Sequence, residues 1–305
     1  MANNLVAIAP KSFPAYEQAI VKAGGTCSAL SSEVRALIWT DYSAVKELEE
    51  TIKQNPQLEW VQLPFAGVDA FSGVLDLPVR FTSAKGSYKE PVAEHALALS
   101  LALARKLPVR IKATSWGKRE AFSFYDSNIF IVGAGGIAEE LIKLLAPFRS
   151  RITVVRNDPS IHVSGANLVI GTNKLPDRIS EADLVVIACA LTEKTRGLFD
   201  LNLLGKMKPS AYLVNVARGP IVITQDLLEA LERGLLAGAA VDVTDPEPLP
   251  PGHPMFGRDD LIVTPHTADT KEIVMHHFAI RLEMNVKAFL GQGPWVGVVD
   301  PVKGY

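Results

Sequence analysis

Three stretches of the chain, "NVARGPIV", "VDVTDPEPLP" and "VTPHTAD", put Arg218, then Asp242 with Glu247, then His266 at or just beyond the carboxyl ends of short apolar runs. In an open parallel sheet that is the edge where ligands bind. Hydride transfer to a 2-keto acid needs a cation that holds the carboxylate and polarises the carbonyl, and an acid that protonates the developing alkoxide. Arg218 suits the first role and His266 the second. Glu247, if paired with the imidazole, would favour its charged form and raise its pKa toward the working pH. Each residue taken singly has a plainer reading: a sheet-edge arginine, a solvated acid between prolines, a turn histidine. Their order behind a nucleotide motif turns them into a set.

That motif is Gly133, Gly135 and Ala138, a GxGxxA that follows the run "NIFIVG" and opens the amphipathic stretch "IAEELIKLLA". Gly133 permits a tight turn, Gly135 lets the backbone approach a pyrophosphate, and Ala138 allows close helix packing, with the phosphate charge meeting the helix N-terminus. About 20 residues on from such glycines, folds of this kind place the residue that reads the adenosine ribose. Arg156 stands there, at the end of "ITVVR". It cannot accept the bonds of a 2′-hydroxyl, but it can bind a 2′-phosphate by charge and fork geometry. NADP is therefore expected over NAD, against the alternative of a solvated strand end with Asp158 as a displaced ribose partner.

Positioning these residues takes alternating strands and helices. Strands are expected over 5–9, 36–39, 60–63, 129–133, 152–155, 184–190, 211–216, 239–243 and 261–265. Helices are expected over 14–23, 44–54, 135–146 and 224–233, with a buried helix over 91–108 and another over 271–291. Alternation of this kind means βαβ units and parallel sheets, so the fold class is α/β. Residues 91–270 read as an NAD(P)-binding domain. Residues 1–90 read as a first α/β domain onto which 271–305 packs back, leaving a cleft suited to a small ligand.

Composition removes other classes. The 305 residues carry a formal net charge of −2, which provides no field for nucleic acid or an anionic membrane surface. Two cysteines, Cys27 and Cys189, without CxxC spacing argue against a disulfide framework or a zinc site and fit a reducing, cytoplasmic setting. "MANNLVAIAPKS" lacks the basic flank of a signal peptide, and the apolar stretch from Pro91 to Pro108 is too short and polar to span a membrane. "YSAVK" matches YxxxK at Tyr42 and Lys46 but precedes the glycine motif, and reads as an exposed helix turn. Adjacent His276 and His277 point to different helix faces, so no metal is expected.

Taken together, "VGAGGIA", "LTEKTRGLFD", "LVNVARGPIV", "AAVDVTDPEPLP" and "VTPHTA", with "AGVDAF" and "PVAEHALALSLALARKLP" upstream, resemble the D-isomer-specific 2-hydroxyacid dehydrogenase family over nearly the whole chain. The resemblance implies two Rossmann-like domains, the substrate domain built from both termini, and homodimers formed through the cofactor domains. It implies Arg218 as carboxylate ligand, His266 as acid/base and Glu247 as its partner. Cofactor contacts are implied at Gly133, Gly135, Gly136, Ile137, Ala190, Thr195, Val216 and Asp242, and substrate contacts at Ala66, Gly67 and Val68. Two departures stand out: Arg156 replaces the usual aspartate, and Thr244 stands where many members carry an aromatic residue. The expected activity is reduction of a small 2-keto acid to the D-2-hydroxy acid, with glyoxylate, hydroxypyruvate and bulkier keto acids all open as the substrate. Side-chain specificity would come from the loops "LPFAGVDAF" and "SAKGSYKEP". The alternative is a catalytically weak dinucleotide-sensing binding protein or corepressor on the same fold.

Overall fold

Strands that are apolar on both faces must be covered on both faces, and parallel pairing with helical crossovers does this. The computed structural model, which describes residues 4–301, has twelve strands among those residues, and every pairing between them is parallel. The chain divides into two compact units: one runs up to Tyr88 and resumes at Thr270, and the other is Lys89–Asp269. Residues 1–3 and 302–305, which the sequence reading assigns to the first domain, lie outside the described residues.

The first unit holds β1 (Leu5–Ala9), β2 (Thr26–Cys27), β3 (Ala36–Trp39), β4 (Trp60–Gln62) and β5 (Arg80–Thr82) in the order β2-β1-β3-β4-β5. Its helices are α1 (Pro14–Lys22), α2 (Val45–Gln54) and the late α9 (Lys271–Phe289). Tyr16 of α1 meets Phe278 of α9 edge-on at 5.1 Å. Asn285 of α9 donates at 2.7 Å to Gln62, which accepts a second bond at 2.8 Å from Thr82, itself bonded by the Trp60 indole. All four side chains are buried, and each bond removes a desolvation cost of roughly 1–3 kcal/mol that an unmet partner would carry. Arg281, also buried, donates to the Ser83 and Lys85 carbonyls and so fixes the loop after β5.

The second unit opens with α3 (Lys89–Ala104) and α4 (Leu107–Lys112). It continues through β6 (Asn128–Val132), α5 (Gly136–Leu145), β7 (Arg151–Arg156), β8 (Leu168–Gly171), α6 (Leu175–Arg178), β9 (Leu184–Ile187), α7 (Leu201–Leu204), β10 (Tyr212–Asn215), α8 (Thr224–Glu232), β11 (Gly238–Val241) and β12 (Leu261–Val263). Read from the β8 edge the order is β8-β7-β6-β9-β10-β11-β12, which reverses direction between β6 and β9. That is the switch point of a doubly wound sheet, where a crevice opens. Phe130, Ile187, Phe199, Leu213 and Ile221 anchor the core beneath it, each 0–1% exposed.

Several expectations need correction. One helix over 91–108 is in fact two, because Lys106 takes a left-handed φ of 54° and Pro108 lies in the first turn of α4, where its missing N–H costs nothing. The expected strands 60–63, 184–190, 211–216, 239–243 and 261–265 all end earlier than their apolar character suggests: β9, for example, stops at Ile187 beside the ends of β6 and β10. Past the sheet edge, apolar residues no longer have a ladder to join. Strands β2, β5 and β8 are additional. Tyr42 lies in the bend before α2 rather than on a helical turn, exposed and edge-on to Phe65 at 5.5 Å.

Candidate active site at the carboxyl edge of the second sheet

The turn between β6 and α5 is built for close approach. Gly133 has φ +121°, and a Cβ there would collide with the Ala188 carbonyl at the end of β9, so only glycine lets the two strand ends meet. At Gly135, the N-cap of α5, a Cβ would find nothing within 4 Å: that position faces open space at the helix N-terminus. Ala138 is 0% exposed against the sheet. Gly136 has the Lys89 stem 3.2 Å from where its Cβ would be, and the Lys89 ammonium pairs at 2.6 Å with Glu140. Small residues, free backbone N–H groups and a helix dipole suit a dinucleotide pyrophosphate.

Around this turn lie the other nucleotide candidates. Ile137 is half-buried in the first turn of α5. Ala190 and Thr195 lie in the loop after β9, where the Thr195 hydroxyl donates to the Ala190 carbonyl at 2.8 Å. Val216 is 6% exposed directly after β10, a packing position. Arg156 ends β7 half-buried, its Nη1 3.5 Å from the Ile161 carbonyl, the outer limit of a bond. The Asp158 carboxylate is engaged locally, accepting from the Ser160 N–H at 3.0 Å and hydroxyl at 2.5 Å; those bonds hold its pKa below the usual range.

The chemical end is assembled from three loops at the same sheet edge. Arg218 follows β10, and its backbone is pinned by the fully buried Asn215. The Asn215 amide donates to the Arg218 carbonyl at 3.0 Å, and its oxygen accepts from Ala217 N–H at 3.0 Å. Next to it, Gly219 packs so closely that a Cβ would strike the Thr244 carbonyl, which locks the Arg218 loop against the loop carrying Glu247. Glu247 accepts from the Thr244 N–H at 3.3 Å and faces His266, with Nδ1 and Oε1 2.7 Å apart. The carboxylate thus fixes the tautomer that carries a proton on Nδ1 and leaves Nε2 for a ligand. The bond to Glu247 raises the His266 pKa against an opposing effect of burial, and the same bond lowers that of Glu247.

His266 itself has φ +50°, a conformation uncommon outside glycine that persists only when neighbours over-determine it. Asp242 supplies the constraint. Its carbonyl accepts from the His266 N–H at 2.8 Å, and its carboxylate accepts from the Thr267 and Ala268 N–H groups at 2.9 and 3.1 Å and from the Thr264 hydroxyl at 2.5 Å. His95 Nε2 of α3 lies 3.2 Å from the same carboxylate. Burial would raise the Asp242 pKa, yet these donors hold it down at about 2. With the side chain 1% exposed and so many donors, the carboxylate grips the histidine turn from beneath.

In the first unit, Ala66, Gly67 and Val68 follow β4 on a loop tied down by Tyr88, whose hydroxyl donates to the Pro64 carbonyl at 3.0 Å. Ala66 and Gly67 are half-exposed. Among the described residues no group of three or more His, Cys, Asp or Glu side chains is arranged to hold a metal, and no helix is long and apolar enough to cross a membrane. A cavity of about 550 Å³ lined by Asn128, Arg151 and Leu168 opens at the opposite, amino edge of the second sheet, away from these loops.

Residues 97–268, more than half of the chain, match the family described as D-isomer specific 2-hydroxyacid dehydrogenase, NAD binding domain. The chain belongs to this dehydrogenase family. It is 38% identical over 256 residues to an "Uncharacterized protein in proB 3'region" of Corynebacterium melassecola, covering 81% of this chain and 84% of that one. It is 29% identical to the mouse glyoxylate reductase/hydroxypyruvate reductase over 82% of this chain and 76% of the other. A D-isomer specific 2-hydroxyacid dehydrogenase from Xanthobacter autotrophicus Py2, solved in complex with NADPH and MES, superposes with a TM-score of 0.86 at 25% identity over 99% of both chains. An oxidoreductase using a nicotinamide dinucleotide follows from membership of the dehydrogenase family. Sequence reasoning missed Asn215, His95 and Lys89. Nothing local marks them, although an Asn at the end of an apolar strand is a usable signal for a loop lock.

Proposed function

We propose that this chain reduces a small 2-keto acid to the D-2-hydroxy acid with NAD(P)H. The observation that carries the reading is the 2.7 Å His266–Glu247 pair, held beside the Arg218 loop at the edge where the Gly133 turn lies. The bound nicotinamide would supply a hydride to the carbonyl carbon. Arg218 binds the substrate carboxylate and polarises the carbonyl, His266 Nε2 delivers a proton to the developing alkoxide, and Glu247 stabilises the imidazolium from the other side. Asp242 keeps the histidine turn in its strained conformation. Residues from Lys89 to Asp269 form the cofactor domain; the first unit is the substrate domain, with Ala66, Gly67 and Val68 as its substrate-facing loop.

NADP is the favoured cofactor. Asp158 is engaged with Ser160, and Arg156 offers a guanidinium at the strand end where the ribose is read. Initial rates of NADPH and NADH oxidation with glyoxylate, hydroxypyruvate, pyruvate and phenylpyruvate test both points. We expect kcat/KM for NADPH to exceed that for NADH by tenfold or more, about 1.4 kcal/mol, and Arg156→Asp to abolish the difference. An NADH preference in the wild type would reduce Arg156 to a strand end. Tight NADPH binding without turnover of any acid would favour the dinucleotide-sensing alternative.

The chain is proposed to act as a cytoplasmic homodimer through the cofactor domain. α4 buries none of its residues, and Ile111 and Trp116 are 81% and 90% exposed on this unit, an apolar surface that suits a second copy. Light scattering should give twice the 33.0 kDa chain mass, with Ile111→Glu/Trp116→Glu shifting it to the monomer; an unshifted mass would place the interface elsewhere. Both cysteines are free thiols, which fits a reducing compartment.

A further inference from the structure

We infer that the cavity at the amino edge of the second sheet binds a small hydroxylated phosphate monoester, of the sugar-phosphate kind, at the same time as the dinucleotide. The inference is independent of the reductase reading. The cavity follows from how the sheet is covered. Alternate residues of a strand share a face, and the pairings Asn128↔Arg151, Phe130↔Thr153 and Thr153↔Leu168 put these five residues on one face. Further along that face Val132, Val155 and Ile170 are buried with Leu175 of α6 and with Ile179 just after it. α6 is only four residues long, so the amino half of the face stays open, and about 550 Å³ remains there, lined also by Arg178, Glu181 and Lys208. That is room for a small metabolite.

The lining holds donors without partners. Among the described residues the exposed Arg151 guanidinium has no hydrogen-bond or ion-pair partner, and neither the Asn128 side chain nor the Thr153 hydroxyl makes a hydrogen bond, although Thr153 is only 8% exposed. The Asn167 side-chain oxygen accepts from the Ile152 N–H at 2.7 Å, which leaves its amide nitrogen as a donor. The other two cations are balanced. Arg178 forks onto Glu181 at 2.8 and 2.7 Å, and Lys208 donates at 2.7 Å to Asp183, whose second oxygen accepts the Asn128 N–H at 2.9 Å. The charge of Arg151 is left uncompensated, so the occupant is an anion. One guanidinium fork satisfies both oxygens of a carboxylate, whereas a phosphate monoester has three terminal oxygens and can also take up the Asn167 and Thr153 donors. Asn128, with a donor and an acceptor, suits the hydroxyls of the ester body. β6 and β7 run from this cavity to the Gly133 turn and to Arg156, so the ester and the dinucleotide lie at opposite ends of the same strands and do not compete.

The test is calorimetric titration of the full chain, saturated with its preferred dinucleotide in a phosphate-free buffer of low ionic strength, with ribose 5-phosphate, glucose 6-phosphate and glycerol 3-phosphate. At least one ester should bind once per chain with a Kd below about 1 mM, and the same body without its phosphate should not bind. Arg151→Ser should weaken binding by roughly tenfold or more and Thr153→Val by about three- to tenfold, with thermal unfolding and dinucleotide affinity unchanged. Arg218→Met, at the opposite edge, should leave ester binding as it is. Inorganic phosphate should bind at least about tenfold more weakly than the best ester; equal affinity would reduce the cavity to an ion hole and overturn the ester reading. Full affinity in Arg151→Ser, or loss in Arg218→Met, would put the ester at the carboxyl edge and overturn the inference. So would the absence of saturable binding for all three esters. Should Arg151→Ser fail to fold, Thr153→Val decides.

Discussion

His266→Ala is expected to lower kcat for keto-acid reduction by about 10²–10⁴-fold while leaving the NADPH Kd within about threefold of the wild type. The reason is geometric. The imidazole hangs from a turn held by Asp242, so removing it leaves the turn's backbone bonds and the Gly133 turn in place and deletes only the proton donor. The pair is not a stability device, since both side chains are more than 40% exposed and water screens them. Its value lies in orientation and charge. Reduction consumes a proton, so the active form is the imidazolium, and the rate should fall as pH rises through the His266 pKa. Glu247 raises that pKa by accepting from Nδ1. Removing the carboxylate therefore lowers it, and in Glu247→Gln the alkaline limb of the kcat profile should move to lower pH. The reverse oxidation needs neutral imidazole, so its acid limb should move the same way. Profiles taken in both directions check the assignment: limbs that stay in place after Glu247→Gln would assign the titrating group elsewhere.

Legibility followed the range over which each signal acts. The GxGxxA turn was readable because strand, glycines and helix are contiguous and Gly133 answers to a local demand, its φ of +121° and the Ala188 carbonyl close behind it. Arg218, Glu247 and His266 were readable as an ordered set at strand ends. What holds them was not. Asp242 was expected as a nicotinamide contact; its carboxylate also gathers donors from Thr264, Thr267, Ala268 and, 147 positions away on α3, His95. No window of sequence contains that arrangement. Short strands failed for a related reason. β5 opens on Arg80 and β2 is two exposed residues, so neither carries the apolar pattern that marks a strand, and each exists because a neighbour offers a ladder edge. Apolar tails such as Ala188, Cys189 and Ala190 misled in the opposite direction: composition continues past the point where pairing ends, and those residues become the loop at the sheet edge.

Arg218→Met should lower kcat/KM by about 10²–10³-fold, with the loss divided between KM and kcat, because a guanidinium that both holds the carboxylate and polarises the carbonyl acts in the ground state and more strongly in the transition state. Arg218→Lys should recover only part of this. A lysine keeps the charge but loses the planar fork that meets a carboxylate with two parallel bonds, so KM should recover less than charge alone would predict. The backbone at this position argues that the loss would be chemical rather than structural. Asn215 bonds the Arg218 carbonyl and the Ala217 N–H, and Gly219 is wedged against the Thr244 carbonyl; neither substitution removes these contacts, although Arg218→Met loses the 2.8 Å bond from the guanidinium to the Ala217 carbonyl. NADPH titration of both variants should therefore match the wild type, with any loss of thermal stability small beside the loss of activity. A purely KM effect would leave carbonyl polarisation to another group, and an unchanged kcat/KM would remove Arg218 from the reaction and with it the reading of this edge as a 2-keto acid site.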